Sequence, residues 1–354
     1  SNNLSDMQHS RRSMPSIQLV DLRDELKEGN KSIFSRYLTF AMQSTIRNGD
    51  QIILYLNRRG SGSSVQCREC GHVVRCVRCD SPMTYHSTLN ALICHRCSHR
   101  LANPNVCPMC GRTSIRHLGV GTQKVMEELN IAFPGVRALR WDRDVASKSD
   151  AHESIMKSFA EGEAQILVGT QMIAKGHHFP NVTLVGVLCA DIGLFMPDFR
   201  SGERIFQLLC QVSGRAGRGR HSGEAVIQTY SPNNYAVQAA VANDYWQFYS
   251  SEISYRQEQS LPPFSSLVNL VCIDVNEDRC VTEAMKLGDK LKNERAVWGL
   301  SNIDILGPSP AFPKKIRGRY RWHIVLRGQH PEDLLRKIHV PNGWLIDVDP
   351  MSVE

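Results

Sequence analysis

Apolar residues recur along this chain in two rhythms, and each rhythm marks an element. Between Lys31 and Arg47, the residues Ile33, Phe34, Tyr37, Leu38, Ala41, Met42 and Ile46 fall at helical spacing, and Asn48-Gly49 ends the helix. QIILYLN (51–57) follows as a buried strand. TQKVMEELNIAF (122–133) is a helix stopped by Pro134-Gly135, VRALRWD (136–142) a strand, and SDAHESIMKSFAEG (149–162) a helix closed by Gly162. QILVGT (165–170) and NVTLVGVLCAD (181–191) are near-continuous apolar runs; SGERIFQLLCQVSG (201–214) is a helix and GEAVIQTY (223–230) a strand. Apolar strands alternating with helices predict a parallel sheet covered on both faces.

A second unit starts near residue 235. Residues 236–259 read as one long helix ended by Leu261-Pro262-Pro263. The order then runs strand (265–275), helix (about 278–296), strand (about 303–306), strand (319–328), helix (331–338), strand (343–350). That βαββαβ succession is the ferredoxin-like α+β pattern. Residues 1–20 show no clear period and read as a linker. The predicted organisation is therefore a linker at 1–20, an α/β lobe at 21–66 and 111–234, an inserted module at 67–110, and a C-terminal domain at 235–354.

Composition fits a folded globular chain: 354 residues, 42% hydrophobic and 22% charged. No run of about 18 consecutive apolar residues occurs, so no membrane partner is expected. The polar start lacks the apolar core of a secretory signal, and the expected location is cytoplasmic. A net charge of +7 permits a polyanionic partner without requiring one.

Cysteine placement changes the picture most. Of 12 cysteines, eight lie between Cys67 and Cys110 as four C-x-x-C pairs, separated by five, 14 and nine residues. Each pair can aim two thiolates at one ion, and zinc takes four such ligands tetrahedrally. Four pairs make two sites. Iron–sulfur ligation is the lesser alternative. The module has few large apolar residues, so the ions must stand in for a core, and it should unfold without them. Five residues between the first two pairs are too few for an ordinary ribbon return, whereas the 14 after Cys79 can form a hairpin. Nesting is favoured: Cys76, Cys79, Cys94 and Cys97 on an inner ion, with Cys67, Cys70, Cys107 and Cys110 on an outer one. An interleaved cross-brace stays open. Four cysteines per ion leave no position for water, so the two zinc sites are structural. With both shells complete, His72, His86, His95 and His99 are expected at the surface.

Two further stretches carry chemistry. LVGTQMIAKGHHFPNVTLVGVLCAD (167–191) joins two buried strands through a Gly- and Lys-bearing loop, and such loops sit where α/β sheets bind ligands. QVSGRAGRG (211–219) sets Arg215 and Arg218 three apart beyond a helix, suited to grip a phosphate. Together they resemble motifs V and VI of superfamily 2 helicases, in the second RecA-like lobe. With NRRG (57–60), the eight-cysteine insertion, GVGTQKVMEEL (119–129), ADIGLFMPDFRSGERIFQLLCQVSGRAGRG (190–219) and LGPSPAFPKKIRGRYRWHIVLRG (306–328), the resemblance is to the PriA replication-restart helicases, over about residues 31–350.

That resemblance implies a RecA-like lobe 2, ATP and Mg²⁺ as substrate and cofactor of the complete enzyme, and 3′→5′ unwinding of DNA at stalled forks to initiate primosome assembly. It implies Arg215 and Arg218 as catalytic arginines, with Gly169, Thr170 and Gln211 lining the nucleotide cleft. Asn57, Arg58, Arg59, Lys175 and His177 would meet forked or single-stranded DNA. In RYRWHIVLRG, Arg319 and Arg321 are expected on one strand face and Tyr320 and Trp322 on the other; the pair would dock single-stranded-DNA-binding protein, one of several primosome partners. The sequence departs from the family in one respect: it holds neither GxxxxGK[ST] nor a DEAH-type box, and begins with Ser1. The chain as given reads as the C-terminal half of such a helicase and is expected not to hydrolyse ATP alone. The alternative is a non-catalytic zinc-containing module that binds DNA or primosome proteins.

Overall fold

The structure, a computed structural model, describes residues 15–57, 63–78, 81–86, 90–95, 97–117, 121–142, 149–170, 179–216 and 223–353. In chain order the elements are β1 (Ser16–Asp21), α1 (Leu22–Lys27), α2 (Arg36–Arg47), β2 (Gln51–Tyr55), β3 (Ser63–Cys67), β4 (Thr84–His86), β5 (Ala91–Ile93), β6 (Arg100–Ala102) and β7 (Ile115–His117). Then follow α3 (Thr122–Ala132), β8 (Ala138–Trp141), α4 (Ser149–Ala160), β9 (Ile166–Gly169), β10 (Val182–Val187), the single turn α5 (Asp191–Leu194), α6 (Ser201–Ser213), β11 (Glu224–Thr229) and α7 (Tyr235–Ala242). The last are α8 (Tyr245–Glu258), β12 (Ser266–Asp274), α9 (Glu277–Val297), β13 (Asp304–Ile316), β14 (Arg319–Gly328), α10 (Glu332–Leu335) and β15 (Trp344–Val348). They fall into two compact units: Ser1–Arg58, Val120–Asp191 and Ile205–Asp244 in one, Arg59–Gly119, Ile192–Arg204 and Tyr245–Glu354 in the other.

The first unit is built on a six-stranded sheet in the order β1-β11-β10-β2-β9-β8, parallel throughout. Every residue of β2 and β9 is buried, so both faces of these central strands are covered, as their unbroken apolar runs predict. Helix α2 packs on β2 and β10. Ser35 caps it, its hydroxyl accepting from the Leu38 N–H at 3.1 Å, and Leu38, Ala41, Met42 and Thr45 form its buried stripe. A β-carbon at Gly186 would lie 2.9 Å from a Leu54 methyl and 3.0 Å from a Leu38 methyl, so a side chain there would force these buried leucines to shift.

Two expectations are corrected here. Residues 16–21 are not linker but β1, paired in register with β11 at the sheet edge. Its alternation is muted because an edge strand is half exposed. Residues 236–259 are not one helix. Asn243 adopts a left-handed conformation (φ 51°) that ends α7, and α8 starts afresh at Tyr245; asparagine tolerates that conformation better than most residues.

In the second unit the cysteine-rich module is a small antiparallel sheet, β6-β5-β4-β3-β7. The C-terminal domain is an antiparallel sheet in the order β13-β14-β12-β15 with α9 packed on it, the ferredoxin-like arrangement that the βαββαβ order predicts. Its core joins Val268, Leu270, Leu287, Leu291, Ile324 and Leu326. Strand β13 is far longer than the expected 303–306, and helix α10 shorter than 331–338. Pro308, Pro310 and Pro313 obscure β13 in the sequence. They are accommodated because β13 is an edge strand whose register shifts between Leu306 and Ser309 and again between Pro310 and Lys315.

Candidate metal centre

The sulfurs of Cys67, Cys70, Cys107 and Cys110 lie within 4.8 Å of one another, and so do those of Cys76, Cys94 and Cys97. The partition is the nested one; the cross-brace is excluded by the distances Cys67–Cys110 and Cys70–Cys107 (3.7 Å each) and Cys76–Cys97 (3.4 Å). Cys79, expected as the fourth inner ligand, lies outside the described residues.

The backbone explains why this spacing works. At the first knuckle the Cys67 N–H donates to the His72 carbonyl (2.8 Å) and the Gly71 N–H to the Cys67 carbonyl (2.9 Å). The same two bonds recur at Cys107 with Arg112 and Gly111, and at Cys94 with His99 and Ser98. The residue after the second cysteine must be left-handed. Gly71 (φ 79°) and Gly111 (φ 70°) adopt this freely, whereas Ser98 (φ 59°) does so at a cost of roughly 1–2 kcal/mol.

The donor set fits zinc. Burial pushes the Cys70 thiol up to about 12 and raises Cys67 as well, so gathered thiolates at this depth need a cation. Zinc would supply it, held by four cysteines per ion with no open position.

The expectation of surface histidines is corrected for two of the four. His86 and His95 are buried and stacked, their Nε2 atoms 3.0 Å apart. His95 also stands edge-on to Phe312 and to the buried His323, each at 6.4 Å between ring centroids. The Ser309 hydroxyl donates to the His95 carbonyl (3.1 Å) and the Ser98 hydroxyl to the Pro308 carbonyl (2.5 Å). The inner knuckle thus docks on β13 of the C-terminal sheet through the residues between and beside its own cysteines. Burial lowers the imidazoles, His95 to about 3, His86 and His323 to about 4. All three are neutral at pH 7.

In the first unit, Gly169 ends β9, its carbonyl accepting from the Leu56 N–H at 2.9 Å, and the buried Thr170 follows. Asn57, buried, lies just beyond the carboxyl end of β2. Because the strands are parallel, these residues share the carboxyl edge of the sheet. Gln211 is exposed on α6, and Arg215, just past that helix, is buried. Arg58, Arg59, Lys175, His177 and Arg218 lie outside the described residues. Arg319 and Arg321 share one face of β14 and, with Arg317, Ile273 and Ile316, line a groove of about 310 Å³; Trp322 points the other way, into a cluster with Cys272, Cys280 and Ala284. Sequence reasoning missed Asp191 as an organising residue. Buried after β10, its carboxylate accepts from the Thr229 hydroxyl and the Tyr230 N–H (2.8 Å each), tying the ends of β10 and β11 together.

A parallel lobe whose chain is interrupted after β2 by a thiol-rich module and continued into an α+β domain defines a class: a helicase C-terminal lobe with a zinc insertion. Family models agree segment by segment. The helicase conserved C-terminal domain matches residues 113–220, the PriA DNA helicase Cys-rich region 76–101, and the primosomal protein N C-terminal domain 257–351. Among curated proteins, the replication restart protein PriA of Bacillus subtilis (strain 168) is 46% identical over 330 residues, 92% of this chain and 40% of that protein. That of Synechocystis sp. is 39% identical over 357 residues, 97% of this chain and 42% of that protein. Among solved structures, S. cerevisiae Dbp5 bound to RNA and ADP BeF3 is 11% identical over 69% of this chain and 45% of that chain, with a TM-score of 0.33. The chain belongs to the PriA family of replication restart proteins and spans about two fifths of the length of these relatives. No helix among the described residues is long and apolar enough to cross a membrane.

Proposed function

We propose that this chain is the second motor lobe, zinc module and C-terminal domain of an ATP-driven, 3′→5′ DNA helicase that acts at stalled forks and starts primosome assembly in the cytoplasm. The observation that carries the reading is a pair of cysteine clusters, Cys67, Cys70, Cys107 and Cys110 in one and Cys76, Cys94 and Cys97 in the other, inserted between β2 and α3 of a parallel lobe. In this reading two zinc ions, one per cluster, are structural. ATP and Mg²⁺ bind between this lobe and one carrying GxxxxGK[ST]. Gly169, Thr170 and Gln211 line the cleft, and Arg215 and Arg218 neutralise charge on the γ-phosphate as it closes, with Arg218 as the finger. A guanidinium suits this role because its charge is fixed and its donors are forked. Asn57, Arg58, Arg59, Lys175 and His177 contact DNA. The Arg319–Arg321 face takes an acidic tail such as that of single-stranded-DNA-binding protein, its arginines pairing with carboxylates over an apolar floor.

The test is DNA-stimulated ATPase of the full-length protein. An arginine finger contributes roughly 10³–10⁵ to kcat. Arg218→Ala is therefore expected to nearly abolish turnover while ATP affinity falls far less. Turnover within about tenfold of the parent would assign the role elsewhere.

A further inference from the structure

The two cysteine clusters offer the same chemistry in unlike surroundings. Cys76, Cys94 and Cys97 belong to the apolar cluster of the module itself, packed with Val65, Val74, Met83, Leu92 and Ile115. Cys76 and Cys94 are buried. The knuckle after Cys94 is also fastened to β13, the Ser98 hydroxyl donating to the Pro308 carbonyl and the Ser309 hydroxyl to the His95 carbonyl. A small molecule must displace packed side chains to reach these sulfurs.

The outer cluster is placed differently. Cys67, Cys70, Cys107 and Cys110 do not belong to that apolar cluster. Cys67 and Cys107 are buried, Cys70 is half-buried, and Cys110 alone among the described ligands is exposed. Around it Pro108, Met109, Gly111, Arg112 and Thr113 are exposed too, Met109 at 70%. The ties from this knuckle to its neighbour are polar. The Arg68 N–H donates to the Ser114 carbonyl (3.0 Å), the Ser114 hydroxyl donates to the Glu69 carboxylate, and Arg112 pairs with Glu69 at 3.5 Å.

Oxidation selects sulfurs that have thiolate character and that the oxidant can reach. A metal-bound cysteine is a thiolate, so among the described ligands exposure points to Cys110. Its sulfur lies 3.7 Å from that of Cys67, so a second thiolate stands ready to react with it.

We propose that the outer cluster is a reversible oxidation site, with Cys110 as the attacking sulfur and Cys67 as its resolving partner, while the inner cluster keeps its ion. The inference rests on the two-zinc reading. The oxidant is hydrogen peroxide. The Cys110 thiolate attacks one peroxide oxygen, the O–O bond breaks, hydroxide leaves, and the sulfur becomes a sulfenic acid. The Cys67 thiolate then attacks that sulfur, the S–O bond breaks, a second hydroxide leaves, and the S–S bond forms. Two sulfurs give up two electrons, both peroxide oxygens end as hydroxide, and solvent protons convert them to water. Two of the four ligands are then spent, too few to hold the ion. A dithiol with free zinc reverses the change. Residues 107–114 are loosened, while the core of the module and its attachment to β13 persist.

The test exposes the full-length protein to hydrogen peroxide in the presence of a chromogenic zinc indicator. From a starting content of about two ions, one should leave at least about tenfold faster than the other. Peptide mapping after the fast phase should find a Cys67–Cys110 disulfide, with Cys76, Cys94 and Cys97 still alkylated as free thiols. Backbone amides of 107–114 should exchange faster with solvent, and those of 91–95 at the parental rate. Dithiothreitol with zinc should restore the lost ion. Cys107→Ser, which breaks the outer set, should start with about one ion and show no fast phase. Loss of both ions in a single phase, a fast phase that leaves Cys110 unoxidised, or a fast phase surviving in Cys107→Ser would overturn the proposal. A starting content of one ion would sink the two-zinc reading and the proposal with it.

Discussion

Replacing His323 by Phe should flatten the acid side of the stability curve. His323 is buried on β14, 3% exposed, and burial lowers its pKa from 6.5 to about 4. The unfolded chain therefore binds a proton below pH 6.5 that the folded chain refuses until about pH 4. The neutral imidazole's contribution is fully present above pH 6.5 and is lost as pH falls toward 4. At pH 5, the ratio of the two binding polynomials amounts to about 2 kcal/mol. For a unit of this size that corresponds to a Tm change of roughly 4–8 °C. His86 and His95 add slopes of the same sign, and they remain in the variant, so the difference isolates His323. The assay is thermal unfolding of parent and His323→Phe from pH 7.5 to 5 in one buffer series. The parent Tm should fall more steeply by several degrees, and the curves should approach each other as pH drops. Parallel curves would show that His323 carries no proton deficit and would refute the assignment.

Metal analysis of the purified chain should find about two zinc ions, and Cys94→Ser about one, with faster proteolysis around 81–102; one ion in the parent would refute the two-site model. Arg319→Ala combined with Arg321→Ala should weaken binding of an acidic C-terminal peptide and reduce its salt dependence, whereas unchanged affinity at low salt would leave the groove as solvated surface. Gln228→Leu should cost roughly 3–6 kcal/mol in urea unfolding, because its buried amide accepts from the Ser35 N–H (2.8 Å) and donates to the Ile33 and Leu188 carbonyls (2.9 Å each), and all three would be orphaned; a loss under about 1 kcal/mol would mean that water replaces it.

Much of the fold was legible because the decisive signals are local. Ile52–Leu56 and Ile166–Val168 are apolar without interruption, as only strands covered on both faces are. The chain lengths between pairs favoured nested thiols but left the cross-brace open, and the sulfur positions decide between them. What escaped depends on partners distant in sequence. β1 is a strand because β11 accepts it, not because SIQLVD alternates strongly. The prolines of β13 argue against a strand until its edge position is known. His86 and His95 look like surface residues in a polar, arginine-rich module, but His95 meets Phe312 of β13 and His323 of β14, and His86 stacks on His95. At the candidate site, the thiols and the Gly169–Thr170 strand end were readable. The Asp191 anchor was not, since one buried aspartate has no pattern.

The strands that open and close the cysteine module pair with each other, Val65 opposite His117 and Cys67 opposite Ile115. To the host chain, an insertion of some 50 residues therefore behaves as a loop whose two stems are already joined. Loop-closure entropy grows only with the logarithm of length, so lengthening such a loop adds little to the cost of folding the lobe. Metal binding can then order the module as a separate event, before or after the motor sheet forms. A graft of this kind can be gained, enlarged or exchanged in descent while the strands on either side of it keep their register.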